Sequence, residues 1–388
     1  MPRSSPAGKF VVATPTRSVC DDNARALERH GRLRFIALGT RRGTAGVPPE
    51  RTRLKPGIGL AAYVAVKLLS NYGAESFRFR LHPWFDRWVK RQLHPGDHII
   101  SSYGYINECF RWVRQHGGKT FVDGGNSHPE NFWTVISEEH RRWNCPYPPF
   151  APHWYKSSLA MLSETDYVLS PSSHVTKSFL ARGFKPEQIL RNVYPVDLGR
   201  FSPPRQPRPK DRPLTIINTG SLSLRKGTPY LLEAFRIIHQ HHPSARLFLS
   251  RLVQDSAKEV LAKYRDLPIH WTAGLPHSQV PDLLRSADIF VLPSLEEGLV
   301  RTACEAMACG LPAIVTPNTG INDFVESGVN GEVVPIRDPQ AIATAALKWA
   351  DKVLSPDWQP RAMLDTKVFG FEHFETEFIG QLRTIGLL

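Results

Sequence analysis

The sequence lacks the features that mark secreted, zinc-binding and membrane-spanning proteins. Its five cysteines are odd in number and form no Cys-x-x-Cys pair, so we expect neither a disulfide framework nor a zinc site. No stretch approaches the roughly 20 apolar residues of a membrane helix, and the first residues are not typical of a signal peptide. We therefore expect a cytoplasmic location, and leave open a peripheral position at the inner face of the membrane.

Motifs of nucleic-acid-binding proteins are also missing. The sequence has no aromatic RNA-binding motif, zinc-finger spacing or helix-turn-helix pattern, so we expect no nucleic-acid partner. The formal net charge of +13 nevertheless favours anionic partners such as phospholipid or phosphorylated small molecules. A basic, solvated surface without a specific partner explains the charge equally well.

The chain has the length and the pattern of a two-domain α/β protein. Its 388 residues exceed what one hydrophobic core usually organises, and strand-like runs alternate with amphipathic helical stretches, as in doubly wound parallel sheets. The first half contains the runs 10–13, 33–38, 98–101, 120–123, 167–170 and 189–194. The second half contains the runs 214–220, 246–249, 269–272, 289–293, 313–316 and 332–336.

The predicted domains are residues 1–200 and 214–365, joined by residues 201–213, whose prolines favour an extended linker. Residues 366–388 are rich in aromatic side chains, and we leave open whether they pack back on the first domain. Ligands of such sheets bind beyond the carboxyl ends of the strands. The fold class is therefore α/β, with two Rossmann-like αβα domains that face each other across a cleft.

One segment of the second domain predicts an anion site at the start of a helix. A glycine and a proline after Cys309 are typical helix stops, so we expect a helix over Leu299–Cys309. The backbone amides of Gly298, Leu299 and Val300 would lie at its positive end, where a diphosphate fits.

Two glutamates flank this predicted anion site. Glu297 precedes the helix and Glu305 lies inside it, roughly 9 Å further along the helix axis. One carboxylate can accept hydrogen bonds from the hydroxyl groups of a sugar and the other from those of a ribose. Such a pair on a helix is usually a solvated surface, but its context here favours a binding site.

The cations that a diphosphate needs occur in the turn 218–227, between the first strand and the first helix of the second domain. Gly220, followed by Ser221, lets the backbone approach a ligand closely. Arg225 and Lys226 can reach the phosphates. We predict that Lys226 is the main cation of the diphosphate site.

These motifs together resemble the retaining family-4 glycosyltransferases of the GT-B fold (glycosyl transferases group 1), over roughly residues 160 to 350. The residues that carry the resemblance are Gly220-Ser221, Lys226-Gly227, Pro293-Ser294, Glu297-Gly298, Glu305-Ala306 and Gly310-Leu311-Pro312. The resemblance implies retaining, metal-independent transfer of a hexosyl group from a UDP- or GDP-sugar to a saccharide or lipid-linked saccharide, in the synthesis of cell-surface polysaccharide or glycolipid. It implies no cofactor.

The resemblance also implies roles for individual residues. It assigns Glu305 to the ribose, Glu297 to the donor sugar and Lys226 to the leaving diphosphate. It places Gly274 and Leu275 beside the nucleobase. The family also often has a histidine against the donor sugar.

Three positions depart from the family pattern. Val300 stands where a second glycine is common, and Ser221 stands where some members have an arginine, which Arg225 or Arg251 can replace. The loop 14–23 after the first strand has no glycine, so the acceptor side cannot be predicted from the family.

In the first domain, the run Thr120–Asp123 leads into a loop and a helix. Ser127 with Pro129 and Glu130 predicts a capping box at the start of that helix. His128 is then the candidate for the histidine against the donor sugar, and a plain helix-start histidine is the equal alternative.

Two aromatic segments of the first half have two interpretations each. Residues 75–91 interleave aromatic and basic side chains, which is compatible with an anionic membrane surface, although we favour tryptophans packed in the core. Residues 143–155 contain aromatic residues and prolines and form either a sugar-stacking wall or, as we prefer, a packed loop.

Other functions stay open at this point. A nucleotide-sugar epimerase or a phosphorylase of the GT-B fold would carry the same motifs, and a non-catalytic sugar-nucleotide-binding protein would need no acceptor site. A dehydrogenase is disfavoured because no Gly-x-Gly-x-x-Gly follows the first strand. Simple glycoside hydrolysis is disfavoured because no carboxylate pair with a water-activating geometry is evident.

Overall fold

The computed structural model describes residues 8–15, 18–40, 44, 46–148, 150–206, 209, 211–272 and 276–388, without the side chains of residues 66 and 277. Within these residues the chain forms two parallel β-sheets, each covered by helices. The predicted pair of doubly wound αβα domains is confirmed.

The first domain is built on a sheet of seven parallel strands. They are β1 (Phe10–Thr14), β2 (Leu33–Leu38), β3 (Thr52–Leu54), β4 (His98–Ser102), β5 (Thr120–Asp123), β6 (Tyr167–Ser170) and β7 (Ile189–Arg191). Their order in the sheet is β3-β2-β1-β4-β5-β6-β7. The sequence pattern did not predict β3, because its three residues are polar or only partly buried and pair with β2 at the sheet edge.

Seven helices connect these strands. They are α1 (Cys20–Arg29), α2 (Ile58–Leu68), α3 (Asn71–Lys90), α4 (Asn107–Gln115), α5 (Pro129–Arg142), α6 (Ala151–Leu162) and α7 (Ser173–Leu180). Two short 3-10 segments, Pro49–Arg51 and Pro186–Gln188, precede β3 and β7.

The second domain is built on a sheet of six parallel strands. They are β8 (Thr215–Asn218), β9 (Arg246–Ser250), β10 (Ile269–Thr272), β11 (Ile289–Leu292), β12 (Ala313–Val315) and β13 (Gly331–Val333), in the order β10-β9-β8-β11-β12-β13. The helices are α8 (Thr228–His241), α9 (Asp255–Ala262), α10 (Val280–Arg285), α11 (Arg301–Ala308) and α12 (Pro339–Val353), followed by α13 (Phe371–Thr384). Residues His277–Gln279 and Ile321–Phe324 form 3-10 turns.

Strand β11 shows why these apolar runs form buried parallel strands. Its four side chains are fully buried, and they alternate between two hydrophobic clusters. Ile289 and Val291 pack in one cluster, whereas Phe290 and Leu292 pack in the other. Successive side chains of a strand point to opposite faces, so a strand covered by helices on both faces needs apolar residues throughout.

Helix α13 returns to the first domain after the last strand of the second. Phe374, Phe378 and Leu382 are buried in one cluster with the β1 residue Phe10 and the α1 residue Leu27. The predicted linker 201–213 lies between β7 and β8. The chain thus crosses between the domains twice, near residue 200 and near residue 370.

A buried ion pair also joins the two domains. Arg337 of the second domain donates from Nε to Glu139 Oε2 in α5 at 2.7 Å, and Glu139 has no exposed surface. The hydroxyl of Tyr230, in α8, donates to the other carboxylate oxygen at 2.7 Å. Because both donors belong to the second domain, these contacts fix one side of the cleft.

Candidate functional site

The loop after β11 projects across the cleft and contacts the backbone of the first domain. A Cβ placed on Gly298 would lie 2.5 Å from the carbonyl carbon and oxygen of Gly125 and 2.8 Å from the oxygen of Gly124. The Oγ of Ser172, in the loop after β6, donates to the carbonyl oxygen of Gly298 at 2.6 Å. The carboxyl ends of β5, β6 and β11 therefore meet at Gly298.

Glu297, one residue earlier, binds both cations of the glycine turn. Its Oε1 lies 2.8 Å from Arg225 Nη1 and 2.5 Å from Lys226 Nζ. Burial opposes ionisation of Glu297, but Arg225 and Lys226 together hold the pKa of its carboxyl below the usual value. Burial lowers the pKa of Lys226 despite the carboxylate beside it. We call Glu297, Arg225 and Lys226 the ion cluster.

Glu296 is a site residue that the sequence motifs did not reveal. It is fully buried and accepts a hydrogen bond from the backbone N–H of Ser127, in the first domain, at 2.7 Å. Burial raises the pKa of Glu296 to about 7, with Arg225 opposing the shift. The family motif in the sequence contains Glu297 and not Glu296. Only the burial of Glu296 in the structure identifies it as a site residue.

Glu305 lines a cavity of about 830 Å³ between the domains, which we call the first cavity. Thr219 and Thr302 also line it, and their buried Oγ1 atoms have no hydrogen-bond partner within the described residues. From the first domain, Asp22 reaches in and forms an ion pair with Arg301. The cavity therefore combines a carboxylate with hydroxyl groups that a polar ligand can satisfy.

The helix behind the first cavity begins later than its sequence pattern predicts. Helix α11 spans Arg301–Ala308, with extended backbone at Val300, whereas the sequence predicted a helix from about Leu299 to Cys309. Neighbouring contacts hold the preceding loop extended, because the N–H of Glu297 donates to the carbonyl of Asn318 at 2.8 Å. Gly298, Leu299 and Val300 thus lie before the first turn, and their role at a diphosphate stays a prediction.

A second cavity, of about 470 Å³, opens beside Arg225 of the ion cluster. Arg225 and Ser223 line it from the second domain. Its aromatic lining from the first domain consists of half-buried side chains: Tyr72, Phe79, Tyr105, Phe132, Trp133, Tyr147, Phe150 and Trp154. The segment 143–155 is thus partly a cavity wall, whereas its first residue, Trp143, packs against Tyr230.

The second cavity also contains a buried histidine. His82 is 8% exposed, and its Nδ1 has no hydrogen-bond partner among the described residues. Burial lowers the pKa of His82 to about 4, and Arg78 adds to this effect. The imidazole is therefore neutral at pH 7 and can form one further hydrogen bond with a ligand.

His128 lies at the start of α5, where Ser127 was expected as the cap. The cap is His128 itself, whose Nδ1 accepts from the N–H of Glu130 at 3.3 Å. Its ring packs edge-on against Phe179, with ring centroids 5.2 Å apart, and burial lowers its pKa to about 4. The predicted capping box is wrong, because Ser127 instead accepts a hydrogen bond from the Asn131 side chain.

The remaining predicted donor residues lie in or near the glycine turn. The N–H of Gly220 donates to Asn218 Oδ1 at 2.9 Å, and a Cβ on Gly220 would lie 4.0 Å from Lys226 Cε. Ser221 is half-buried, whereas Arg251 is exposed, so Arg225 is the arginine that faces the cleft. Gly274 and Leu275 lie outside the described residues.

The aromatic and basic segment 75–91 fits neither of its two interpretations fully. It forms the C-terminal part of α3, where Trp88 is half-buried against Phe85. Trp84 is 43% exposed, and Lys55 Nζ lies 4.0 Å from the centre of its ring. One tryptophan packs on the core as we favoured, whereas the other faces solvent.

The match to a known family falls on the domain that carries the ion cluster. Residues 213–352 match the family described as Glycosyl transferases group 1. The second domain is therefore the part of the chain that is similar to group 1 glycosyltransferases. It contains the glycine turn, the ion cluster and Glu305, and its partner across the cleft is the first sheet.

Curated relatives of the chain carry glycosyltransferase names. The putative colanic acid biosynthesis glycosyltransferase WcaL of Salmonella typhimurium is 30% identical over 200 residues, which cover 49% of each chain. A GDP-mannose-dependent phosphatidylinositol monomannoside mannosyltransferase of Mycolicibacterium smegmatis is 27% identical over 213 residues, 49% of this chain and 54% of the relative. The chain thus spans about half the length of these relatives.

Solved structures share the whole fold. Sucrose-phosphate synthase from Thermosynechococcus elongatus aligns over 97% of this chain and 99% of its own, with a TM-score of 0.69 and 19% identity. HepE of Anabaena, solved in complex with UDP, aligns over 97% of this chain and 100% of its own, with a TM-score of 0.65 and 14% identity. The chain therefore has the GT-B fold.

Within the described residues, no helix combines the length and the apolar character that crossing a bilayer requires. No group of three or more histidine, cysteine or acidic side chains in that part of the chain is arranged to hold a metal ion.

Proposed function

We propose that the chain is a retaining hexosyltransferase that moves a sugar from a UDP- or GDP-sugar to a saccharide or lipid-linked saccharide acceptor. The observation that carries this proposal is the ion cluster, which lies within the residues that match group 1 glycosyltransferases and borders an interdomain cavity through Arg225. The names of the relatives support a role in polysaccharide or glycolipid synthesis.

The first cavity is the proposed nucleoside site. Glu305 accepts hydrogen bonds from the ribose hydroxyls, and Thr219 and Thr302 offer buried hydroxyl groups that need partners. In this proposal the diphosphate reaches from the ribose to the ion cluster.

The ion cluster is the proposed site of the leaving group. A diphosphate competes with Glu297 for Arg225 and Lys226, so its binding frees the Glu297 carboxylate to accept hydrogen bonds from the sugar hydroxyls. Two cations within 2.8 Å of one oxygen position can neutralise charge that develops on the departing phosphate, without requiring a metal ion.

The second cavity is the proposed acceptor site. Its aromatic walls can pack on the apolar faces of a pyranose ring, and it opens beside Arg225, at the sugar end of the donor. In the proposed reaction the bond between the anomeric carbon and the phosphate oxygen breaks, and the acceptor oxygen bonds to that carbon from the same face. The acceptor proton passes to the departing phosphate oxygen, and the products are the glycoside and a nucleoside diphosphate.

A donor panel tests this function. Thermal-shift and product-release assays with UDP-, GDP- and ADP-sugars should identify one nucleotide that stabilises the protein. Release of the nucleoside diphosphate should then depend on a saccharide acceptor. Stabilisation by none of these donors contradicts the proposal, and conversion of the sugar without any acceptor indicates an epimerase instead.

Two substitutions test the site. Lys226→Met and Glu305→Ala should each lower transfer by about 100-fold or more, the usual loss when a transition-state charge or a binding contact of this kind is removed. Lys348→Met is the matched control, because Lys348 is 55% exposed and pairs only with Glu332 among the described residues. Wild-type transfer by both site variants would refute the assignment.

A further inference from the structure

The exposed apolar side chains of the first domain are concentrated in one region. Of the twelve large apolar side chains that are exposed in the described residues, eight lie between Leu54 and Trp84. Helix α2 carries the most exposed of them, Leu60 at 71% and Leu68 at 77%. Isolated exposed apolar residues are ordinary, but a concentration of this kind marks a surface that contacts a partner.

These side chains of α2 share one face of the helix. Leu60, Tyr63, Val64 and Leu68 are all exposed, and at about 100° per residue they span an arc of roughly 140°. Two exposed neighbours, Leu69 and Trp84, extend the region beyond the helix. We call these six residues the α2 surface.

The opposite face of α2 already has its packing partner. Ile58, Ala62 and Ala65 are buried there, and the helix packs along α3. A surface helix of a soluble protein normally turns its polar face outward. In α2 the buried face carries one isoleucine and two alanines, whereas most of the large apolar residues are outside, so protein packing within the chain does not explain the exposed face.

Cations surround the α2 surface. Lys55 Nζ lies 4.0 Å from the centre of the Trp84 ring, and Lys67 Nζ lies 5.8 Å from that of Tyr63. Between residues 54 and 84 the sequence has four basic residues and one acidic residue, Glu75, which pairs with an arginine in α3 at 3.0 Å. The region therefore combines exposed apolar side chains with two adjoining lysines, Lys55 and Lys67.

We propose that the α2 surface docks the protein on an anionic membrane, with α2 lying in the plane of the lipid headgroups. An apolar helix face flanked by lysines is the pattern of interfacial helices, in which the cations contact lipid phosphates. A second copy of the chain is the poorer partner, because a twofold contact would bring the same lysines together. Of this surface, only Trp84 belongs to the segment 75–91, which the sequence pattern made compatible with a membrane contact.

The position of α3 links this surface to the proposed acceptor site. Helix α3 packs on α2, and its residues Tyr72, Phe79 and His82 line the second cavity. A membrane-docked chain would therefore present the second cavity close to the bilayer. This step rests on the proposed function and favours a lipid-linked saccharide as the acceptor, whereas the docking itself does not depend on any sugar chemistry.

Vesicle sedimentation tests the docking. The wild-type chain should sediment with vesicles of phosphatidylcholine and phosphatidylglycerol, much less with phosphatidylcholine alone, and less at high salt. The double variant Leu60→Ser with Leu68→Ser should bind the anionic vesicles at least about tenfold more weakly, because it lacks two leucine side chains that the bilayer would bury. Its melting temperature should match that of the wild type, since both side chains are exposed.

The matched control is Leu180→Ser with Val329→Ser, which changes two exposed apolar residues outside the region 54–84 and should leave vesicle binding unchanged. Equal sedimentation of the Leu60 and Leu68 variant and the wild type would overturn the proposal. Equal binding of the wild type to both kinds of vesicle would also overturn it. So would a wild-type protein that binds no vesicles and is a dimer, if the Leu60 and Leu68 variant is a monomer. The sedimentation assay contains no donor. It can therefore refute membrane docking while the donor panel supports sugar transfer, or support docking while the donor panel refutes transfer.

Discussion

Replacement of Gly298 by alanine tests whether the two domains must approach as closely as the structure shows. The new Cβ would lie 2.5 Å from the carbonyl carbon and oxygen of Gly125 and 2.8 Å from the oxygen of Gly124. These atoms belong to the backbone of the other domain and cannot rotate away. Gly298 does not have a positive φ, so alanine should not strain the loop itself.

The expected cost follows from the size of the overlap. Forcing an extra carbon into a packed contact typically costs about 1 to 3 kcal/mol, which corresponds to a decrease of about 5- to 150-fold in the population of the close domain arrangement. We expect kcat/KM for transfer to fall by a similar factor. The free energy of unfolding of each domain should change little, because the clash arises only between domains.

The assay combines steady-state transfer with small-angle scattering of the variant and the wild type. Gly298→Ala should lower transfer and increase the radius of gyration. Gly380→Ala is the matched control, since Gly380 lies in α13 with no atom within 4 Å of the added carbon. Wild-type transfer together with an unchanged scattering curve would show that this approach is not needed for function.

Substitutions at three further positions probe the buried polar groups. Burial raises the pKa of Glu296 from 4.5 to about 7, so between these pH values the folded state keeps a proton that the unfolded state releases. The wild-type free energy of unfolding should therefore fall as the pH rises from 4.5 to 7, by at most about 3 kcal/mol from this group. Glu296→Gln should flatten that part of the pH profile in urea unfolding, and an unchanged slope would contradict the burial argument. Arg337→Ala should lower the free energy of unfolding by about 3 kcal/mol, because it leaves the buried carboxylate of Glu139 without its cation. A decrease below about 1 kcal/mol in denaturant titration would show that the ion pair contributes little to stability. His128→Ala should lower the free energy of unfolding by about 1 kcal/mol, and His128→Asn should restore it, because asparagine also caps helices. If the asparagine variant transfers sugar at the wild-type rate, His128 is a capping residue only. A large loss of transfer by this stable variant would favour the predicted contact of His128 with the donor sugar.

Burial depends on which surfaces face each other, and the sequence alone does not contain that information. Two consecutive glutamates at 296 and 297 look alike in the sequence. Only the fold shows that one is held by Arg225 and Lys226 and the other by the Ser127 backbone of the first domain. The same reason explains α2. An apolar helix in a sequence predicts a buried element. Only the tertiary packing, in which α2 contacts α3, shows that large apolar side chains of α2 such as Leu60 and Leu68 face outward.

The sequence by itself determined the two doubly wound sheets, because each buried parallel strand needs a short run of apolar residues and each covering helix needs a periodic one. It also determined the loop from Glu297 to Gly298 and the cations of the glycine turn, since these are local patterns. The tertiary structure alone decided how the domains meet, where α11 begins, and that Arg225 of the ion cluster lines a cavity between the domains. These features come from contacts between residues far apart in the chain, such as Gly298 with Gly125, which no local pattern encodes.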